Sequence, residues 1–273
     1  MLDILASGFI GALLAAAPMS GLPATGRQGQ EEADYRVRLQ RCVTGPAELA
    51  LPNCLAIIQT LDAPDAVIAL AYGRRGDIHF ESREYAKAIE QYDVALRMAP
   101  PQASTLTNRA AALANLGRYR DAVSGYSAAL ALKPEDPRIL NGRGAAYVRL
   151  DDAQSALADY SRAIALDPTN VEALNNRGVV RSALGELQSA IEDFNTALAL
   201  DPRYADALNN RAVALIRKGS YQAAIQDLTK AIELRPRYAD AYFNRAVALE
   251  RIGRVADAEL DYAAERKARD PNP

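Results

Sequence analysis

The sequence predicts an all-α solenoid built from stacked helix–turn–helix hairpins. Prolines recur at a step of 34, at Pro100, Pro134, Pro168, Pro202 and Pro236. Two further columns keep that step: Arg75, Arg109, Arg143, Arg177, Arg211 and Arg245, and Ala88, Ala122, Ala156, Ala190, Ala224 and Ala258. A fixed period of this length marks an array in which each unit buries its apolar face only against its neighbours. Within a period the apolar spacing is helical. Leu106, Ala110 and Leu113 fall on one helix face, Gly117 breaks it, and Ala122, Tyr126, Ala129 and Leu130 resume the stripe. Pro134 then closes the second helix, because proline lacks an amide hydrogen and clashes with the preceding turn.

Taken in order, residues 1–24 read as a signal-peptide-like segment. Residues 4–17 (ILASGFIGALLAAA) are uncharged and apolar over 14 positions, shorter than the roughly 20 that a membrane-spanning helix needs. No Lys or Arg precedes the run, Asp3 is the only charge in the segment, and cleavage is expected after Ala24. An unprocessed anchor or a mis-assigned start is the competing reading. Residues 25–32 read as a linker, and 33–68 as a degenerate helical hairpin that caps the array. Six units follow, at 69–102, 103–136, 137–170, 171–204, 205–238 and 239–272. In the third, Asp151 replaces the turn glycine, which predicts a different turn. In the sixth, Glu259, Asp261, Glu265, Arg266, Lys267 and Arg269 are expected to give the last helix a polar outer face.

The two cysteines, Cys42 and Cys54, lie in the degenerate hairpin. One period on, they map to Gly76 and Ala88, the small pair where paired helices touch, so both sulfurs are expected to meet. A disulfide across so short a loop would contribute about 3 kcal/mol. Such bridges persist in oxidising compartments, and two small buried thiols are the alternative.

The units share a pattern, with departures such as Asp151 and Glu265: a small residue in the first helix, a turn glycine, a tyrosine, then alanine, an aromatic, alanine and proline. The stretch ADALNNRAVALIRKGSYQAAIQDLTKAIELRP shows it most fully. This pattern resembles the tetratricopeptide repeat. The arrangement around Cys42, Cys54 and residues 71–77 (AYGRRGD) is also similar to exported bacterial proteins of that family. The resemblance implies a right-handed superhelical solenoid whose first helices line a concave groove, with function in binding rather than catalysis. A periplasmic or secreted location is expected, with the cytoplasm as the alternative.

Composition narrows the function further. Net charge is −2, or −1 without residues 1–24, so neither nucleic acid nor an anionic membrane is indicated as partner. His79 is the sole histidine, and it occupies the column of Leu113 and Leu215, as a packing residue would. No metal site, cofactor, phosphate-cradling glycine loop or nucleophile motif is legible, and no catalytic residue is assigned. The expected partner is another protein, with self-association as the rival.

The groove is expected to carry Asn108, Asn176, Asn210 and Asn244, with Asn141, Asn175 and Asn209 one residue earlier. A row of amides offers donors and acceptors to an extended peptide backbone. The same asparagines would serve equally to bond the adjacent helix. Val179, Val213 and Val247 form an apolar strip one turn on, as groove floor or as packing between helices. Positions where some relatives hold a ligand's carboxyl terminus with lysines carry Ser104, Glu172, Asp206 and Asp240 here, and only Arg138 is basic. That disfavours an acidic terminus as ligand. Finally, aspartates recur 16 residues after four of the arginines, which predicts structural pairs Arg143–Asp159, Arg177–Asp193, Arg211–Asp227 and Arg245–Asp261. Gln91 and Gly125 stand where Arg75 and Arg109 would find an acid, so those two are expected to be freer.

Overall fold

The structure is a computed structural model that describes residues 27–60 and 63–270. The signal-like segment 1–24 lies outside them. Among the described residues there are fourteen helices and no strand. They form two compact units, the first ending at Pro134 and the second beginning at Glu135.

The first unit holds three hairpins: α1 (Arg27–Thr44) with α2 (Ala47–Ile58), α3 (Asp65–Glu81) with α4 (Tyr85–Met98), and α5 (Ala103–Asn115) with α6 (Tyr119–Leu132). Each second helix packs on the next first helix, α2 on α3 and α4 on α5. The stretch expected as a linker is helical from Arg27 onward, a correction to the sequence reading. The second unit holds four hairpins: α7 (Pro137–Val148) with α8 (Ala153–Leu166), α9 (Val171–Ala183) with α10 (Leu187–Leu200), α11 (Ala205–Arg217) with α12 (Tyr221–Leu234), and α13 (Ala239–Arg251) with α14 (Val255–Arg269). Each unit is thus an all-α solenoid of helical hairpins.

Small residues set how closely paired helices approach. A Cβ added to Gly178 would lie 2.7 Å from the Phe194 ring, and one added to Gly144 would lie 2.8 Å from Tyr160. The glycine makes room for the aromatic of its own hairpin. In the same column Ala212 is paired with the smaller Leu228, both fully buried, whereas Ala110 and Ala246 share their hairpins with Tyr126 and Tyr262.

In the six hairpins from α3 onward, the turn between paired helices places one residue in the left-handed region. Gly117, Gly185, Gly219 and Gly253 supply it, and Arg83 (φ 61°) and Asp151 (φ 60°) adopt it without glycine's freedom. The next amide then reaches back five residues: Arg118 N–H donates to the Leu113 carbonyl at 2.9 Å, and Asp152 N–H to that of Tyr147 at 3.0 Å. Asp151 therefore makes the same turn as its glycine counterparts. The different turn expected there is not formed, because the hydrogen-bond closure outweighs the local strain.

His79 is partly buried, as a packing residue is expected to be, and its Nδ1 also lies 2.6 Å from Glu84 Oε2, across the turn at Arg83. One other expectation needs correction. On the last helix, Asp261 is buried rather than outward-facing, because it meets Arg245, and Glu265 is only partly exposed. Glu259 and Glu265 nonetheless occupy the columns of buried Ile225 and Ala231, so the final hairpin carries charge where its predecessor carries apolar contact.

Candidate peptide-binding face

In the second unit, α7, α9, α11 and α13 lie side by side, each first helix touching the next. Their shared face gathers most of the expected groove residues. Val179 is 39% exposed, Val213 and Val247 are partly exposed, and Phe243, on the same face of α13, is 47% exposed. Asn108 lies in the first unit, where its Nδ2 donates to Asp77 Oδ1 at 2.8 Å.

Of the two roles the sequence left open for the asparagines, bonds to the adjacent helix are present. Asn175 and Asn209 are buried, at 5% and 7% exposure. Asn176 Nδ2 donates to Asn141 Oδ1 at 3.2 Å, Asn210 to Asn175 at 3.0 Å, and Asn244 to Asn209 at 2.9 Å. Each bond spans one period plus one residue, so the amides stitch successive first helices together. A buried amide must find such a partner, and here the neighbouring repeat provides it. What remains accessible on this face is chiefly the valine column and Phe243.

Charges on the face are also tied down. Arg235 grips Asp206 with two bonds of 2.7 Å and the Tyr238 hydroxyl adds a third, at 2.9 Å. The guanidinium first and the hydroxyl second hold Asp206 below the ordinary carboxylate range against partial burial. Arg269 donates to Asp240 at 2.8 Å. Arg235 caps the end of α12 and Arg269 is the last residue of α14, so these acids tie each first helix to the end of its paired second helix. Arg138 is highly exposed and holds Asp136, the N-cap of α7, at 3.2 Å. Glu172 is exposed.

The arginine column forms the polar spine of this unit. Arg143, Arg177, Arg211 and Arg245 each present Nε and Nη2 to both oxygens of Asp159, Asp193, Asp227 and Asp261, at 2.6–3.0 Å. All four aspartates are buried, and Arg181 adds a third bond to Asp193 at 2.8 Å. A contact absent from the sequence reading runs the other way, to the residue 16 before. Arg177 Nη1 donates to Ser161, Arg211 to Asn195 and Arg245 to Thr229, at 2.8–3.2 Å. Each of these three guanidiniums therefore joins its own helix to the second helices of two hairpins. The signal was present as a uniformly polar column, Asp93, Ser127, Ser161, Asn195 and Thr229. In the first unit this corrects the expectation for Arg109, whose Nε bonds Asp93 at 2.5 Å. Arg75 stands over the Tyr72 ring at 5.8 Å.

Cys42 and Cys54 are bonded, 2.07 Å apart at sulfur, and wholly buried between α1 and α2. Among the described residues no helix is long and apolar enough to cross a membrane, and no His, Cys, Asp and Glu side chains cluster as metal ligands would.

Family models described as tetratricopeptide repeat match residues 56–103 and 107–171, 143–209 and 194–226, and one described as TPR repeat matches 214–253. The chain belongs to the tetratricopeptide repeat family. No curated protein matches it. Among solved structures, a tetratricopeptide repeat protein from Parabacteroides merdae is similar with a TM-score of 0.69 and 20% identity, covering 88% of this chain and 95% of that one. PilW, described as a widely conserved type IV pilus biogenesis factor, has a TM-score of 0.68 and 21% identity over 76% of this chain and 95% of its own. YrrB, described as a TPR protein with an unusual peptide-binding site, has a TM-score of 0.55 and 24% identity over 69% of this chain and 95% of its own. At these identities the likeness concerns the fold. In this tetratricopeptide array the polar columns are largely consumed in holding repeats together, and the first-helix face leaves open the valine column and Phe243, with Arg138 and Glu172 exposed beside them.

Proposed function

We propose that the chain is a non-catalytic adaptor of the bacterial cell envelope that receives a segment of a partner protein on the first-helix face of its second unit. The observation that carries this is the accessible strip of Val179, Val213 and Val247 beside Phe243, flanked by amides already engaged with one another. An apolar strip between polar flanks suits a peptide or helix better than a sugar or nucleotide. The peptide-binding site named for YrrB supports a binding role for the fold. The apolar run at 4–17 and the Cys42–Cys54 bond support export to an oxidising compartment.

The test is a photo-crosslinking residue placed at Val213 or, as control, at the exposed Lys230 on α12, in the native host. A discrete adduct at Val213, absent at Lys230 and lost with Val179→Glu while helicity is kept, is expected. Adducts at Lys230 alone would place binding on the other face. A second reading draws on α14, where Val255 and Leu260 are 54% and 71% exposed. There, copies join through the carboxy-terminal hairpin, and a strict monomer in sedimentation across concentrations would exclude it.

A further inference from the structure

We infer that the Cys42–Cys54 bond is a latch: the α1–α2 hairpin stays docked on α3 only while the bond is oxidised. Reduction would release this hairpin and uncover the apolar face of α3, leaving the rest of the array folded. The inference does not depend on where a partner binds.

Four features make the hairpin conditional. First, it is terminal among the described helices and packs on α3 alone of the later helices, whereas α3 to α5 each have neighbours on both sides. Second, few of its large side chains are fully buried. Leu39 and Ile57 are buried with Ala50 and the two cysteines against Val67, Ala71 and Ile78; Tyr35, Val43, Ala47 and Ile58 pack there only partly buried, and Val37, Leu49, Leu51 and Leu55 are exposed. Third, α2 is intrinsically weak. It is 12 residues long and contains Pro52, which removes an internal hydrogen bond, and helices of this length are marginal without tertiary support. Fourth, the polar tie from α3 is slight: Arg74 Nη2 donates to the Gly45 carbonyl in the hairpin turn at 3.1 Å. The covalent bond lies at the centre of this small cluster, and both sulfurs are fully buried.

The chemistry is simple. A dithiol gives two electrons and two protons, the S–S bond becomes two thiols, and the dithiol leaves as its cyclic disulfide. Because both sulfurs are buried, exchange requires the hairpin to open first, so the docked form is also kinetically shielded. A chain made in a reducing compartment would carry the hairpin loose, with Val67, Ala71 and Ile78 uncovered. Exchange with an oxidised disulfide, which takes up the two electrons and two protons and leaves as its dithiol, would close it.

The experiment is hydrogen exchange by mass spectrometry on the full chain, oxidised and after dithiothreitol, with thiol content read from the two-dalton mass gain. Amide protection in residues 33–58 should fall by about 100-fold on reduction, with residues 103–269 unchanged. The double variant Cys42→Ala, Cys54→Ala should match the reduced protein without reductant, which decides the matter if the buried bond resists reduction. Equal protection of 33–58 in oxidised protein and double variant would overturn the latch. So would a loss of protection spread evenly through 103–269.

Discussion

Replacing Asp193 by alanine removes the carboxylate on which three charge-assisted hydrogen bonds converge, two from Arg177 at 2.7 and 3.0 Å and one from Arg181 at 2.8 Å. The carboxylate is buried at 4% exposure, and the two arginine side chains are 16% and 25% exposed. Breaking a buried pair by deleting one partner costs about 3–5 kcal/mol, since the surviving charge is left uncompensated. Here the guanidiniums retain some water, and Arg177 keeps its bond to Ser161, which brings the expected cost to about 3 kcal/mol. For a domain of this size that corresponds to a melting point lower by about 10 °C. Circular dichroism melts read the shift, and hydrogen exchange localises it to α9 and α10. The control is Asp93→Ala, whose carboxylate is 36% exposed and bonds Arg109 alone, with an expected cost of about 1 kcal/mol or less. An unchanged melting curve for Asp193→Ala, or equal losses for the two variants, would refute the reasoning.

Three further outcomes are expected. Gly178→Ala should gain about 1 kcal/mol in helix propensity yet lose more to the Phe194 ring, for a net loss of about 1 kcal/mol. Adding Phe194→Leu should restore stability, because it recreates the Ala212–Leu228 pair of the next hairpin; denaturant titration reads both, and failure of the rescue would break the packing argument. Arg83→Gly and Asp151→Gly should each stabilise by about 0.5–1 kcal/mol in thermal melts, since both residues occupy the left-handed region. Asp77 is pushed above the usual carboxylate range by burial, despite hydrogen bonds from Tyr92 and Asn108 and the nearby Arg74 charge. Its folded form then holds a proton more tightly than its unfolded form, so its contribution is complete below about pH 3.8 and is lost as pH rises through the raised value. Asp77→Asn should flatten that part of the stability–pH curve; an unaltered slope would show that burial does not govern this carboxylate.

The period of 34 made the hairpins legible because proline, turn glycine and small contact residues each have one structural job, and each recurs in register. Arg177 and Asp193 were legible as a pair for the same reason, since both members recur at constant separation. The return contact from Arg177 to Ser161 was not, because any short polar side chain can accept a guanidinium, and that column varies among Asp, Ser, Asn and Thr. Asn175 and Asn210 show a different limit. An amide has the same identity whether it faces a ligand or a neighbouring amide, so the sequence places it without saying which. Asp151 shows a third: the six turns at Arg83, Gly117, Asp151, Gly185, Gly219 and Gly253 all close with the same hydrogen bond, with or without glycine, so composition overstated the difference. The division after Pro134 leaves no mark in the columns, which run through it unbroken.

Nearest-neighbour stacking is the claim on which the rest depends, and deleting residues 205–238, one whole period, tests it most directly. The shortened second unit would bring α9 and α10 against α13 and α14, with Asn244 meeting Asn175 and Arg245 meeting Asn195 in place of their former partners. Far-ultraviolet circular dichroism with thermal melting should show a fully helical chain that unfolds cooperatively at a lower temperature. A chain that loses its helicity or aggregates would contradict the account.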